Sequence, residues 1–244
     1  MRRAKPGQLR WQGQDMGAAN ADISRLRREV GIVFQQPETQ LFEDIVGKDV
    51  SFAPRQQNLP SAESRALVEA CLNAVGLDYE TFRLRYIYAL SGGQKRRVAL
   101  AGVLAAQPKL LILDEPVAGL DPQGRAELAA MIADLAQRRH LTTVLVGNTI
   151  DELAELADRA IIMHRGQVVM EGPLHDLMER ADELHQLGLE LSEAAQIALV
   201  LRDAIPVLPT NLLRIDELER ALLAQLPESA FRADRKQATA PETS

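Results

Sequence analysis

The sequence predicts an α/β fold built on a parallel sheet, and three observations carry that expectation. Residues 110–113 are four consecutive aliphatics, Leu-Leu-Ile-Leu. The run is too short to span a membrane and too continuous for a half-solvated edge, and it suits a central parallel strand covered on both faces. Asp114 and Glu115 follow it, and Pro116, with no N–H to donate, ends the ladder. Upstream, Ser91, Gly92, Gly93 and Gln94 precede a helical run over 95–106 with Val98, Leu100, Val103 and Leu104 at its apolar positions. Ser91 is a good N-cap for that helix, whose first N–H groups favour a phosphate, and the glycines let a ligand approach the backbone. Ligands of open α/β sheets sit beyond the carboxyl ends of the strands, which puts the two acids where a hydrated metal and a water would stand. An acid that caps the next element is the competing reading of the same pattern.

The other elements follow in chain order. Residues 7–16 form a short alternating run broken by Gly13, read as strand, turn and strand. Residues 23–28 read as a short basic turn, and 30–34 as a strand closed by Gln35, Gln36 and Pro37. After Pro60, residues 61–75 predict an amphipathic helix with Ser61 as its cap; Leu67, Val68, Cys71, Leu72 and Val75 share one face, and Gly76 stops it. Tyr79, Phe82, Tyr86 and Tyr88 come next, a cluster of the kind that builds a core or a partner groove. A helix from Pro122 to about 139 and a strand over 142–146 continue the alternation, and Thr149 with Glu152 has capping-box spacing ahead of a short helix. Residues 160–164, Arg165-Gly166 and 167–171 read as a β-hairpin. Helices at about 174–187, 192–204 and 215–226 follow, and charge, Ala, Thr and Pro predict a disordered tail over 227–244.

Composition narrows the function. The chain has 244 residues, 46% hydrophobic and 25% charged, enough for one α/β domain plus an extension. A net charge of −6 without a basic tract argues against nucleic acid as the main partner. The one cysteine, Cys71, lies among aliphatics at helical spacing and reads as a buried core thiol. No apolar stretch approaches the roughly 20 residues of a spanning helix, and Met1-Arg2-Arg3 leads into no apolar run. The expectation is a cytoplasmic chain that meets the membrane only through a partner. His140, His164, His175 and His185 are dispersed and do not form a ligand set.

Leu90 with residues 91–94, the helix after them, Leu-Leu-Ile-Leu-Asp-Glu-Pro at 110–116 and Gly-Leu-Asp-Pro at 119–122 resemble, in order and spacing, the ATP-binding cassette (ABC) family. Phe-Gln-Gln-Pro-Glu-Thr-Gln-Leu-Phe at 34–42 and Asp-Val-Ser-Phe-Ala-Pro at 49–54 resemble the Q-loop region of its energy-coupling-factor, or cobalt-type, importer ATPases. The resemblance covers roughly residues 7–226. It implies a P-loop NTPase-like ABC ATPase core over 1–172, truncated at its N-terminus, with a helical signature subdomain at about 55–107. A small helical C-terminal extension over 173–226 would help pair two subunits. ATP and Mg2+ are the implied cofactors. By the same resemblance Glu115 polarises the attacking water, Gln35 reaches magnesium and that water, and Asp114 holds magnesium. Ser91, Gly92, Gly93 and Gln94 would clamp the nucleotide of a second cassette, and Asp121 would cross between the two. The implied partners are that second ABC ATPase, identical or different, and an integral membrane transporter subunit. The chain would be peripheral on the cytoplasmic face of the cell membrane.

Two departures from the family pattern bear on activity. The phosphate-cradling string Gly-x-x-x-x-Gly-Lys-Ser/Thr does not occur: the one Gly-Lys pair, Gly47-Lys48, is followed by Asp49 and has Phe42 where the first glycine belongs. Asn148 stands where cassettes carry the switch His, and a carboxamide can donate a hydrogen bond but cannot carry a proton. Two functions are compatible with this pattern. One is an ATP-hydrolysing subunit of a coupling-factor importer for a metal ion or vitamin, with a start later than the family's first strand. The other is a degenerate cassette that lends residues 91–94 to a complete partner.

Overall fold

The computed structural model describes residues 5, 7–139, 141–154 and 156–225, so the tail expected over 227–244 lies outside the described residues. The chain divides into two compact units, one ending at Gly147 and the other starting at Asn148.

In the first unit, β1 (Arg10–Trp11) and β2 (Gln14–Asp15) pair antiparallel about a tight turn, with Gln12 at φ 48° and Gly13 at φ 82°. The expected basic turn is instead a helix, α1 (Ile23–Glu29). Asp22 nucleates it by accepting the Arg25 N–H at 2.8 Å, and Arg27 and Arg28 oppose the dipole in its last turn. Then come β3 (Val30–Val33), α2 (Val46–Val50), α3 (Phe52–Gln56), α4 (Ser61–Ala74) and α5 (Tyr79–Phe82). Ser61 is the first helical residue of α4 rather than its cap; Pro60 takes the cap position, where its fixed φ suits a helix start. α6 (Gly92–Leu104), β4 (Leu110–Asp114), α7 (Pro122–Arg139) and β5 (Thr142–Val146) complete the unit.

β3, β4 and β5 form a parallel sheet with β4 in the centre, in a register that aligns Val33, Leu113 and Leu145. Val33, Leu111 and Leu113 are buried on one face. There Gly31 is required by close approach, because a Cβ would stand 2.5 Å from Val103 Cγ1 of α6. On the opposite face the central strand is half-buried at Leu110 and Ile112, while Ile32, Val144 and Val146 of the flanking strands are 38%, 43% and 46% exposed. Cys71 is fully buried in α4, and Tyr79 is buried while Tyr86 and Tyr88 face solvent.

The second unit begins with α8 (Ile150–Ala154), where Thr149 Oγ1 accepts the Glu152 N–H at 3.4 Å, one half of the expected capping box. β6 (Arg159–His164) and β7 (Gln167–Pro173) form the expected hairpin, turning through Arg165 and Gly166 at positive φ as a two-residue hairpin loop prefers. The single helix expected at 174–187 is two, α9 (Leu174–Met178) and α10 (Ala181–Gln186), because Arg180 leaves helical geometry at φ −99°, ψ 45°. α11 (Glu193–Leu201) and α12 (Ile215–Leu223) follow. Ile150, Met170, Leu174, Leu177, Met178 and Leu184 form one core cluster, and Ala194, Ala198, Leu208, Leu212 and Leu218 a smaller one. Ser192 caps α11 through the Ala195 N–H and donates to the Leu212 carbonyl at 2.5 Å. Among the described residues no helix is long and apolar enough to cross a membrane.

Candidate active site

The carboxyl ends of the parallel strands bring three of the expected residues to one edge of the sheet. Asp114 ends β4 and pairs in register with Val146 of β5. Glu115, the next residue, donates its N–H to the Val146 carbonyl at 2.8 Å and turns the chain through φ +46°, a left-handed conformation rare for a residue with a Cβ. Gln35 stands two residues beyond β3, and its Nε2 donates to Glu115 Oε2 at 2.5 Å. A carboxylate only accepts, so the Gln35 amide must present its nitrogen to Glu115; its Oε1 is outside that bond and is, like the carboxylate of Asp114, a hard oxygen donor by chemistry. This donor set fits magnesium, a cation that keeps several waters and uses one or two carboxylates.

Ser91 caps α6 in a complete capping box: its Oγ accepts the Gln94 N–H at 3.3 Å, and Gln94 Oε1 accepts the Ser91 N–H at 3.1 Å. Gly92 and Gly93 are exposed, and a Cβ on either would meet nothing within 4 Å. The chain itself does not need glycine there, so open space is kept beside the N–H groups of a 13-residue helix. Among the described residues no hydrogen bond joins 91–94 to Gln35, Asp114 or Glu115. Asp121 is exposed and accepts the Gly124 N–H at 2.7 Å, the capping contact that an Asp-Pro helix start calls for. Asn148 is exposed at the start of the second unit.

Sequence reasoning assigned no role to three residues: Arg96 and Asp49, which hold segments near the site, and Glu29, which ties together the amino ends of β3 and β4, at the far edge of the sheet. Arg96 of α6 donates to the Pro116 carbonyl at 2.9 Å and to the Ala118 carbonyl at 3.1 Å, tying the helix that starts at Ser91 to the loop after Glu115. Asp49 is buried, and its Oδ2 accepts the N–H groups of Phe42 and Glu43, both at 3.0 Å; burial pushes its carboxyl above the ordinary value against those bonds. Glu29 accepts from Lys109 Nζ at 2.8 Å, Trp11 Nε1 at 2.6 Å and Arg25 Nε at 3.1 Å, and the Lys109 bond leads in lowering its pKa to about 2. The only available sequence signal was a run of charges for Arg96 and an acid within an apolar stretch for Asp49.

A parallel sheet with paired acids at its carboxyl end and a glycine-opened helix is an arrangement suited to an α/β nucleotide-binding ATPase, and the family model described as ABC transporter matches residues 1–118. The energy-coupling factor transporter ATP-binding protein EcfA2 of Clostridium tetani is 39% identical over 209 residues, which are 86% of this chain and 73% of that one. EcfA2 of Lactiplantibacillus plantarum is 47% identical, over 87% of this chain and 72% of that protein. Among solved structures, cbiO1 from Clostridium perfringens, part of the ABC transporter complex cbiONQ, superposes with a TM-score of 0.65 at 31% identity, covering 81% of this chain and 72% of that one. The cassette MJ0796, in a dimeric post-hydrolysis state with ADP and phosphate, gives 0.60 at 25% identity, covering 70% of this chain and 75% of that one. The chain belongs to the ABC ATPases, in their energy-coupling factor branch, a family that binds and hydrolyses ATP.

Proposed function

We propose that the chain is the ATP-hydrolysing subunit of an energy-coupling factor importer and that it drives uptake of a metal ion or vitamin. The observation that carries this reading is the Gln35–Glu115 contact at the carboxyl end of the sheet, with Glu115 in a left-handed conformation. Magnesium and ATP, when bound, supply the phosphoryl group and the charge that offsets its developing negative oxygens. Gln35 Nε2 fixes Glu115 Oε2, and Oε1 of Glu115 is left to accept a hydrogen bond from a water and orient it. Asp114 and Gln35 Oε1 hold the cation's shell. Gly92 and Gly93, with Ser91 and Gln94, receive a nucleotide held by a second cassette, homologous or identical, and Asp121 lies on that shared face. Asn148 occupies the switch position as a carboxamide that donates and accepts hydrogen bonds but takes up no proton.

The core is taken as residues 1–172, with the helical subdomain at about 55–107, and 173–226 as the C-terminal extension. Phe42 and Phe52 meet edge to face at 4.7 Å and Tyr86 stacks on Tyr88 at 5.2 Å, all four exposed. Such a surface favours docking to an integral membrane subunit on the cytoplasmic face. The test is uptake by vesicles holding the complete importer, with labelled cobalt and a labelled water-soluble vitamin as alternatives. ATP-dependent uptake of either supports the reading, and ATP turnover that moves neither contradicts it. Ser91→Arg should lower turnover at the site the second cassette completes by about tenfold or more, since it fills the open space at Gly92 and Gly93. Unchanged turnover would remove residues 91–94 from the nucleotide site.

A further inference from the structure

β3 is an edge strand, with β4 as its one ladder neighbour among the described strands. On its other side the Phe34 N–H and the Ile32 carbonyl need partners. Gln40 supplies both: its Oε1 accepts the Phe34 N–H at 3.1 Å, and its Nε2 donates to the Ile32 carbonyl at 3.1 Å. These groups flank Val33, and one residue of a further parallel strand would bond the same pair. A single carboxamide therefore does the work of a β-bridge at the point where the strand ends.

Gln40 reaches that point because it closes the 3-10 helix Pro37–Gln40, whose start is fixed by Thr39, with its N–H and Oγ1 on the Gln36 carbonyl at 3.0 and 2.7 Å. The residue next to Phe34 is Gln35, whose amide holds Glu115. We propose that Gln40 is a positioning residue for ATP hydrolysis: it locks the end of β3 so that Gln35 is delivered to Glu115. The proposal rests on the reading of Gln35 and Glu115 given above. It requires a side chain that donates and accepts at once, which Glu, Met and Leu do not.

The test compares Gln40→Met, close in length but with neither bond, with Gln35→Ala and the double variant. In the chain itself, the Phe34 amide of Gln40→Met should exchange about fivefold faster while the amides of β4 are unchanged. In the ATP-hydrolysing complex, kcat should fall about fivefold with KM for ATP held within about twofold. The double variant should be no slower than Gln35→Ala alone, because Gln40 acts through Gln35. A loss of stability alone would not give that non-additivity. Gln40→Glu, which keeps the acceptor and loses the donor, replaces Gln40→Met if the latter does not fold, with a smaller fall in kcat. A wild-type kcat in the Gln40 variant, or a double variant slowed by the product of the two single effects, overturns the proposal. An unchanged kcat in Gln35→Ala overturns the reading of Gln35, and the proposal falls with it.

Discussion

Glu115 adopts φ +46°, a region that costs a residue with a Cβ about 1 kcal/mol or more, and it is kept there by its N–H on Val146 and its carboxylate on Gln35. Strain at an acid poised on a strand end is what a site, rather than a helix cap, needs. Other acids in the first unit act on stability with opposite signs. Glu29, with a pKa of about 2 against an ordinary 4.5, binds fewer protons folded than unfolded, so its contribution is full above that window and lost as pH falls through it. Asp49, raised by burial, subtracts stability as pH rises past its ordinary value of 3.8. The gap in urea midpoint between wild type and Glu29→Gln should therefore be wide at about pH 6 and narrower at about pH 3; an equal gap at both contradicts the assignment. Asp114 and Glu115 were legible because an aliphatic run, two acids and a proline are contiguous. Glu29 was not, since its partners Trp11 and Lys109 lie 18 and 80 residues away.

Elements with a strong local pattern were read correctly: β4, α6, α7, β5 and the β6–β7 hairpin each carry their period and their turn or cap in sequence. Errors fell where a few residues decide, as in α1, a seven-residue helix set by Asp22, and in the break between α9 and α10 at Arg180. The bridging by Gln40 was illegible because a side chain replaces a strand there. Two glycines separate packing from function at this scale. Gly31→Ala must push Val103 away and should cost about 1–3 kcal/mol in denaturant unfolding. Gly93→Ala meets nothing and should stabilise the chain by up to about 1 kcal/mol while lowering turnover of the assembled complex. If Gly93→Ala leaves turnover intact, the open space at the start of α6 is not a ligand's.

For the whole molecule, one arrangement links surface to chemistry within the first unit. The exposed aromatics at Phe42 and Phe52 adjoin the segment that Asp49 and Gln40 pin, and that segment begins at Gln35. The aromatic face and Gln35 thus belong to one stretch of chain whose backbone Gln40 and Asp49 fasten by separate hydrogen bonds. The family, the fold and the pair of acids were readable from motifs; the exposure of Ile32, Val144 and Val146 was not, because aliphatic patterning does not say which face a neighbour covers. The most direct measurement is ATP turnover by the purified complex with Glu115→Gln, alongside nucleotide binding. The expected result is binding within about twofold of wild type and a fall in turnover of about a hundredfold or more. Turnover equal to wild type with binding intact would contradict Glu115 as the group that orients the attacking water.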